Sequence, residues 1–222
     1  MTAVDTLVPG TTATHGVLAD RLSTAAANRP DATHARDQFP ATDNFLASAS
    51  RHNAAVNAVI VPAVRNRVPD GEVRAREFIE QSKRLEVALA QVKAKLYGST
   101  YAIRRTWASV WDDVRREFEA TWLLERTLAS DLAAHRQPDD PDWGLELYHA
   151  ELHAPTRPHP YVPHQGIRGR VARMLAMRVD RFWDATEGRM IPEPVKPHDR
   201  THDGKLAQYF LAAPHLPDDE LE

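Results

Sequence analysis

The sequence predicts an all-α fold, an up-and-down bundle of three long helices and one shorter packed helix. Glycine is scarce, with nine in 222 residues, and the central part of the chain has long stretches without glycine or proline. Apolar side chains in these stretches recur at alternating steps of three and four residues, which lines one face of a helix. Proline-containing segments at 69–71 and 137–141 are expected to form the turns.

The helices are expected between these turn signals. Thr42 or Asp43 can cap the first long helix. In chain order, the predicted helices cover residues 16–28, 43–67, 72–97, 103–136, 142–153 and 167–188. This divides the chain into an N-terminal segment with a short helix and a loop, a helical bundle with a Pro/His-rich C-terminal extension, and a tail, at residues 1–40, 41–190 and 191–222.

Composition excludes several function classes. The chain has no cysteine, so disulfides, thiolate metal sites and cysteine nucleophiles are ruled out. A formal net charge of −3 gives no basic excess for nucleic acid. We find no signal peptide, and the longest apolar run, 54–64, is far shorter than the roughly 20 residues of a membrane helix. We therefore expect a cytoplasmic protein without nucleic-acid or membrane partners, and its oligomeric state stays open.

Polar side chains interrupt two apolar stripes. Thr121 and Glu125 fall in the stripe of helix 103–136, and His52 falls in that of helix 43–67. A carboxylate inside a bundle is costly unless another group pairs with it. A histidine and a carboxylate that face the interior of one bundle are the elements of a metal or ligand site.

The segments around these polar residues resemble parts of a known protein family. The run 51–62, RHNAAVNAVIVP, resembles the second ligand helix of hemerythrin-like (HHE cation-binding) bundles, in which a carboxylate follows the histidine and a proline closes the helix. The run 118–125, FEATWLLE, is similar to the family's last ligand helix, and 154–160 with 180–184 resembles extensions of actinobacterial members. The resemblance implies a hemerythrin-like four-helix bundle with two non-haem irons that handles O2, NO or redox stress.

Carried over position by position, the resemblance implies a degenerate metal site. Val56 or Asn57 takes the place of one carboxylate, and Gln81 and Thr121 take the places of histidines. If a metal is retained, its ligands come from two histidines and two carboxylates, namely His15, His52, Glu86 and Glu125. These are too few for a di-iron pair but sufficient for one ion. Our leading expectation is a bundle that binds neither metal nor another cofactor.

Three functions follow from this interpretation. The first is small-molecule binding or metal-independent catalysis in the bundle cavity, with His52 as base or donor and Glu125 as its orienting partner. Substrate would be placed by polar or aromatic side chains near them, namely Asn57, Gln81, Thr121 and Trp122. The second is a non-haem iron protein for O2, NO or redox chemistry. The third is a non-catalytic structural or interaction protein in which His52 and Glu125 only pair across the bundle.

A separate histidine pair lies near the predicted C-terminal extension. His149 and His153 are four residues apart on helix 142–153, a spacing found in metal sites. His159 and His164 follow and could join them. The pattern fits either a zinc site or an ordinary surface pair.

Overall fold

The computed structural model describes residues 6–28, 39–96, 104–158 and 192–197. This part of the chain contains five α-helices and no β-strand, which confirms the all-α prediction. The helices are α1 Leu7–Ala27, α2 Pro40–Arg67, α3 Gly71–Leu96, α4 Trp107–Ala134 and α5 Trp143–Leu152. Helix α2 packs against each of the other four, α3 packs against α4, and α1 packs against α4 and α5.

Helix α1 is longer than predicted, because it begins at Leu7 and not at residue 16. Pro9 and Gly10 are helix breakers in an interior but fall in the first turns of α1. A proline there removes an N–H group that has no intrahelical partner in any case. The extension places His15 in the middle of a packed helix.

Helix α2 begins at Pro40, where proline is favoured at the first helical position. Pro62 lies inside the helix, which nevertheless continues to Arg67. The turn into α3 has Asp70 at a positive φ of 55°. A Cβ atom on Gly71 would lie 2.2 Å from the Val64 carbonyl oxygen, so only glycine allows α3 to start this close to the end of α2.

The core consists of two apolar clusters. One contains Leu7 with Ile60, Phe78, Leu128 and Leu147, among others. The other contains residues from the opposite halves of the same four long helices, including Leu18, Phe45, Leu89, Trp111 and Phe118. Buried polar side chains lie between the two clusters along each long helix, namely His15, His52, Asn53, Gln81, Ser82, Thr121 and Glu125. The bundle therefore has a polar layer between two apolar ones, and we call it the polar layer.

Helix α5 is fixed to the start of α1. The Asp142 carboxylate caps α5 by accepting hydrogen bonds from the backbone N–H groups of Gly144 and Leu145. Its Oδ1 also accepts a hydrogen bond of 2.7 Å from the Thr6 hydroxyl. A Cβ atom on Gly144 would lie 2.3 Å from that hydroxyl oxygen. We call this contact of Thr6, Asp142 and Gly144 the α1–α5 clip.

Some predicted features lie outside the described residues. These are the helix at 167–188, the histidines His159 and His164, and the tail apart from residues 192–197. None of the helices within the described ranges contains a stretch that is both long and apolar enough to cross a membrane.

Candidate functional site

Two histidines and one glutamate meet in the polar layer. His15 Nε2 donates to Glu125 Oε2 over 2.8 Å, and His52 Nε2 donates to Glu125 Oε1 over 2.9 Å. The three side chains come from α1, α2 and α4, and their exposed fractions are 5%, 4% and 1%. One potential metal-ligand atom from each lies within 4.8 Å of the others. The predicted contact between His52 and Glu125 across the bundle is therefore confirmed.

A fourth side chain, Glu151 on α5, completes this group. Its Oε1 accepts a hydrogen bond of 2.5 Å from His52 Nδ1, and Glu151 is 4% exposed. His52 is thus held between two carboxylates, one on each ring nitrogen. We call His15, His52, Glu125 and Glu151 the His–Glu cluster.

The cluster shifts the pKa values of its central pair in opposite directions. Burial alone would lower the pKa of His52, but the charges of Glu125 and Glu151 and the hydrogen bonds to them raise it to about 10. Burial alone would raise the pKa of Glu125, but the two histidines lower it to about 2. Without a metal, His52 is therefore an imidazolium that donates from both nitrogens, and Glu125 is a carboxylate.

Aromatic rings enclose the His15 side of the cluster. The ring of Trp122 stacks on that of His15 with centroids 3.9 Å apart, and Phe118 lies 5.3 Å from it. Trp122, a candidate substrate-binding residue from the sequence, thus packs on His15 of α1. His15 Nδ1 is buried and has no hydrogen-bond partner in the structure. His15 is therefore held by ring packing and by the single bond from its Nε2.

A small pocket adjoins the cluster. Apolar side chains form much of its wall, and it is lined by His15, Leu18, Ala49, His52, Asn53, Leu85, Phe118, Thr121 and Glu125. The centre of a water-sized molecule can occupy about 10 Å³ of it, which is roughly the minimum for one water. The pocket is thus about the size of a single water molecule.

A second group of polar side chains joins α2 to α3. Asn53 Nδ2 donates to Glu86 Oε1 over 3.2 Å, and Asn57 Nδ2 donates to Ser82 Oγ over 2.7 Å. Both asparagine side-chain oxygens are buried without a hydrogen-bond partner. We call Asn53, Asn57, Ser82 and Glu86 the amide network. Glu86, a candidate ligand from the sequence, thus contacts Asn53 and is not part of the metal-ligand group.

Two other candidate substrate-binding residues contact Glu117. Gln81 Nε2 donates to the Glu117 carboxylate over 2.9 Å, and the Thr121 hydroxyl donates to the Glu117 backbone carbonyl over 2.7 Å. Thr121 also lines the pocket, whereas Gln81 and Asn57 do not. Of the four predicted substrate-binding residues, Thr121 lies at the pocket and Trp122 contacts the cluster through His15.

The His149–His153 pair lies away from the cluster. Both histidines are exposed, and neither belongs to the group of possible metal ligands found among the described residues. The buried member of this stretch is Glu151, which sequence reasoning missed because the two histidines carried the expected metal spacing. Helical periodicity could have indicated that Glu151 is buried, because it lies on the same face of α5 as the buried Gly144 and Leu147.

No family model matches the chain, and comparisons with curated proteins and with solved structures also find no match. The resemblance to hemerythrin-like bundles therefore stays a prediction. The donor set can be compared with that prediction directly. Two imidazoles and one carboxylate are too few for two irons, yet they are the donors that one first-row divalent ion takes in mononuclear non-haem sites.

Proposed function

We propose that this chain is a metal-binding helical bundle that holds one divalent first-row ion in its polar layer, with His15, His52 and Glu125 as ligands. The observation that carries the proposal is the convergence of two imidazole Nε2 atoms on the two oxygens of one buried carboxylate, over 2.8 and 2.9 Å. Neighbouring ligands of one such ion are separated by about 3 Å. The proposal takes up the alternative, raised by the sequence, that a metal is retained. It leaves Glu86 out of the ligand set and adds no other protein ligand in its place.

The surroundings of the three ligands support this assignment. All three side chains are almost completely buried, and a buried donor set excludes the water that competes for an ion. Glu151 and Glu125 together bring two carboxylates to the cluster, which balances the charge of a divalent cation. When bound, an ion of this class supplies a Lewis acid and, as iron, a redox centre with positions left for a small ligand.

The pocket suggests which ligands such a centre would take. Leu18, Leu85 and Phe118 contribute apolar side chains to its wall. The space open to the centre of a water-sized molecule is about 10 Å³, which is roughly what one water needs, so a ligand close to water in size, such as O2 or NO, suits the pocket better than an organic substrate. We therefore propose chemistry on small ligands, as in the non-haem iron alternative of the sequence. The idea of an organic ligand in the bundle cavity stays a prediction.

One observation favours a second candidate, the metal-independent use of the same residues. The hydrogen bonds of the His–Glu cluster are complete without an ion for both His52 nitrogens and both Glu125 oxygens. In this alternative His52 donates a proton and Glu125 orients it, as the sequence suggested. Metal content separates the two candidates.

The test is metal analysis of the full chain, purified without a histidine tag and then loaded anaerobically with Fe(II), Mn(II), Co(II) or Zn(II). We expect close to one ion per chain for at least one metal, and loss of binding in His52→Ala and Glu125→Ala. His149→Ala is the matched control, since that histidine is exposed on α5, and it should bind like wild type. Loading below about a tenth of an ion per chain with every metal would refute the metal proposal.

A further inference from the structure

Glu151 reaches the cluster from a helix that carries none of the three proposed ligands. Its carboxylate lies on the Nδ1 side of the His52 ring, whereas Glu125 lies on the Nε2 side. Glu151 does not belong to the group of possible ligands around Glu125. It is therefore a neighbour of a ligand and not a ligand.

We propose that Glu151 is a positioning residue of the metal site, an inference that rests on the proposed function. A histidine ligand is commonly held by a carboxylate that accepts a hydrogen bond from its second ring nitrogen. The 2.5 Å bond from His52 Nδ1 to Glu151 keeps a proton on Nδ1 and directs Nε2 to the other two ligands. The carboxylate also increases the basicity of the ring toward a cation.

Helix α5, which carries Glu151 near its C-terminal end, is fixed to α1 at its N-terminal end. Asp142 caps α5 and accepts a hydrogen bond from the hydroxyl of Thr6. Gly144 has no side chain and so leaves room for Thr6 next to Asp142. This α1–α5 clip sets the register of α5 against α1, the helix that carries His15. The clip therefore fixes the helix that carries Glu151 relative to the helix that carries His15.

The rival explanation is that Glu151 only stabilises the fold as the partner of a buried imidazolium. The two explanations differ in what a variant changes. A stabilising residue alters the midpoint of unfolding but leaves the bound ion unaffected in the folded protein. A positioning residue alters the affinity for the ion and the ligand field around it, even where the variant is fully folded.

The experiment titrates Co(II) into the full chain in competition with a chelator and records the visible absorption of the loaded protein. We compare wild type, Glu151→Gln, which keeps the acceptor but removes the charge, and Glu151→Leu, which removes both. Relative to wild type, affinity should fall about tenfold in Glu151→Gln and toward 100-fold in Glu151→Leu, with a shifted visible spectrum in both. Glu146→Gln, an exposed change on the same helix, should leave affinity and spectrum unchanged.

The possible outcomes distinguish a failure of the proposed metal binding from a failure of the proposed role of Glu151. If wild type binds none of Fe(II), Mn(II), Co(II) and Zn(II), the proposed function fails and the inference with it; if it binds one of the others but not Co(II), that metal replaces Co(II) in the competition titration. If wild type binds Co(II) and folded Glu151→Gln binds it with the same affinity and spectrum, Glu151 has only a structural role and the inference alone is overturned. Circular dichroism establishes folding, and the near-isosteric Glu151→Gln decides the question even if Glu151→Leu does not fold.

Discussion

The His–Glu cluster and the amide network are two buried polar groups that share helix α2 but are built differently. The cluster draws one side chain from each of four helices and joins them through charge-assisted hydrogen bonds of 2.5 to 2.9 Å. The network joins only α2 and α3, mainly through amide groups, and leaves two asparagine oxygens without a hydrogen-bond partner. Both nitrogens of His52 and both oxygens of Glu125 are paired, whereas each asparagine of the network keeps one oxygen without a partner.

The difference shows which buried polar residues carry chemistry. Burial alone does not separate them, because Asn57 and His15 are both 5% exposed. The difference lies in donor type and convergence: the cluster gathers imidazole and carboxylate groups around one point, whereas the network spreads its contacts along one helix pair. Strongly shifted pKa values occur in the cluster, at His52 and Glu125, and such shifts concentrate at functional sites.

The largest expected effect comes from removing the carboxylate shared by the two histidines. Glu125→Ala leaves the His52 imidazolium buried with one of its two partners gone, so the free energy of unfolding should fall by about 3–5 kcal/mol. Urea unfolding measures it, with Glu119→Ala, an exposed change on α4, as the control near wild type. An unchanged urea midpoint for Glu125→Ala would show that the cluster does not hold the bundle together.

The next effect is the pH dependence of the metal-free protein. The pKa of His52 is raised from 6.5 to about 10, so its contribution to stability is complete below pH 6.5 and is lost as the pH rises through 10. The pKa of Glu125 is lowered from 4.5 to about 2, so its contribution is complete above pH 4.5 and is lost as the pH falls through 2. The cluster should therefore stabilise most between about pH 4.5 and 6.5.

Urea unfolding across the pH range checks this expectation, and Glu125→Gln provides the comparison. That variant keeps a side-chain oxygen for one histidine but carries no charge, so its stability should vary less with pH than that of wild type. If the two curves are parallel from pH 5 to pH 10, the charge pair is not the source of the pH dependence.

The sequence allowed much of the polar layer to be predicted, since polar side chains at apolar positions are visible as breaks in a periodic pattern. His52, Glu125 and Thr121 were found in this way, and all are buried. Apart from the His52–Glu125 pair, the contacts among the polar residues could not be predicted, because contacts between helices depend on register and rotation that periodicity leaves open. Glu86 was placed with the ligands because of the family resemblance, whereas in the structure it contacts Asn53.

Two further differences between the prediction and the structure concern local sequence patterns that allow more than one interpretation. Pro9 and Gly10 are residues that disfavour a helix interior, but their position in the first turns of α1 makes them compatible with a helix that begins before residue 16. The spacing of His149 and His153 drew attention away from Glu151, whose role depends on how α5 docks on α1 and α2. That docking rests on the α1–α5 clip, a contact between residues 6 and 142 that local sequence does not reveal.

A smaller effect is expected from disturbing this clip. Gly144→Ala places a Cβ atom 2.3 Å from the Thr6 hydroxyl, so α5 must shift and the free energy of unfolding should fall by about 1–3 kcal/mol. Gly16→Ala is the matched control, because a Cβ atom there meets nothing within 4 Å and helix propensity should stabilise α1 by about 0.5–1 kcal/mol. Thermal unfolding should show a lower stability for Gly144→Ala and a higher stability for Gly16→Ala. Destabilisation of equal size in both variants would contradict this account of the clip.

The smallest effect is expected in the amide network. The double variant Asn57→Leu with Ser82→Ala removes both partners of one buried hydrogen bond, together with an asparagine oxygen that has no partner. Because no polar group is left unpaired by the change, the free energy of unfolding should stay within about 1 kcal/mol of wild type. Co(II) affinity should also be unchanged, since neither residue touches the His–Glu cluster. A loss of several kcal/mol or of Co(II) binding would mean that the two groups act as one network, and the contrast between them would then fail.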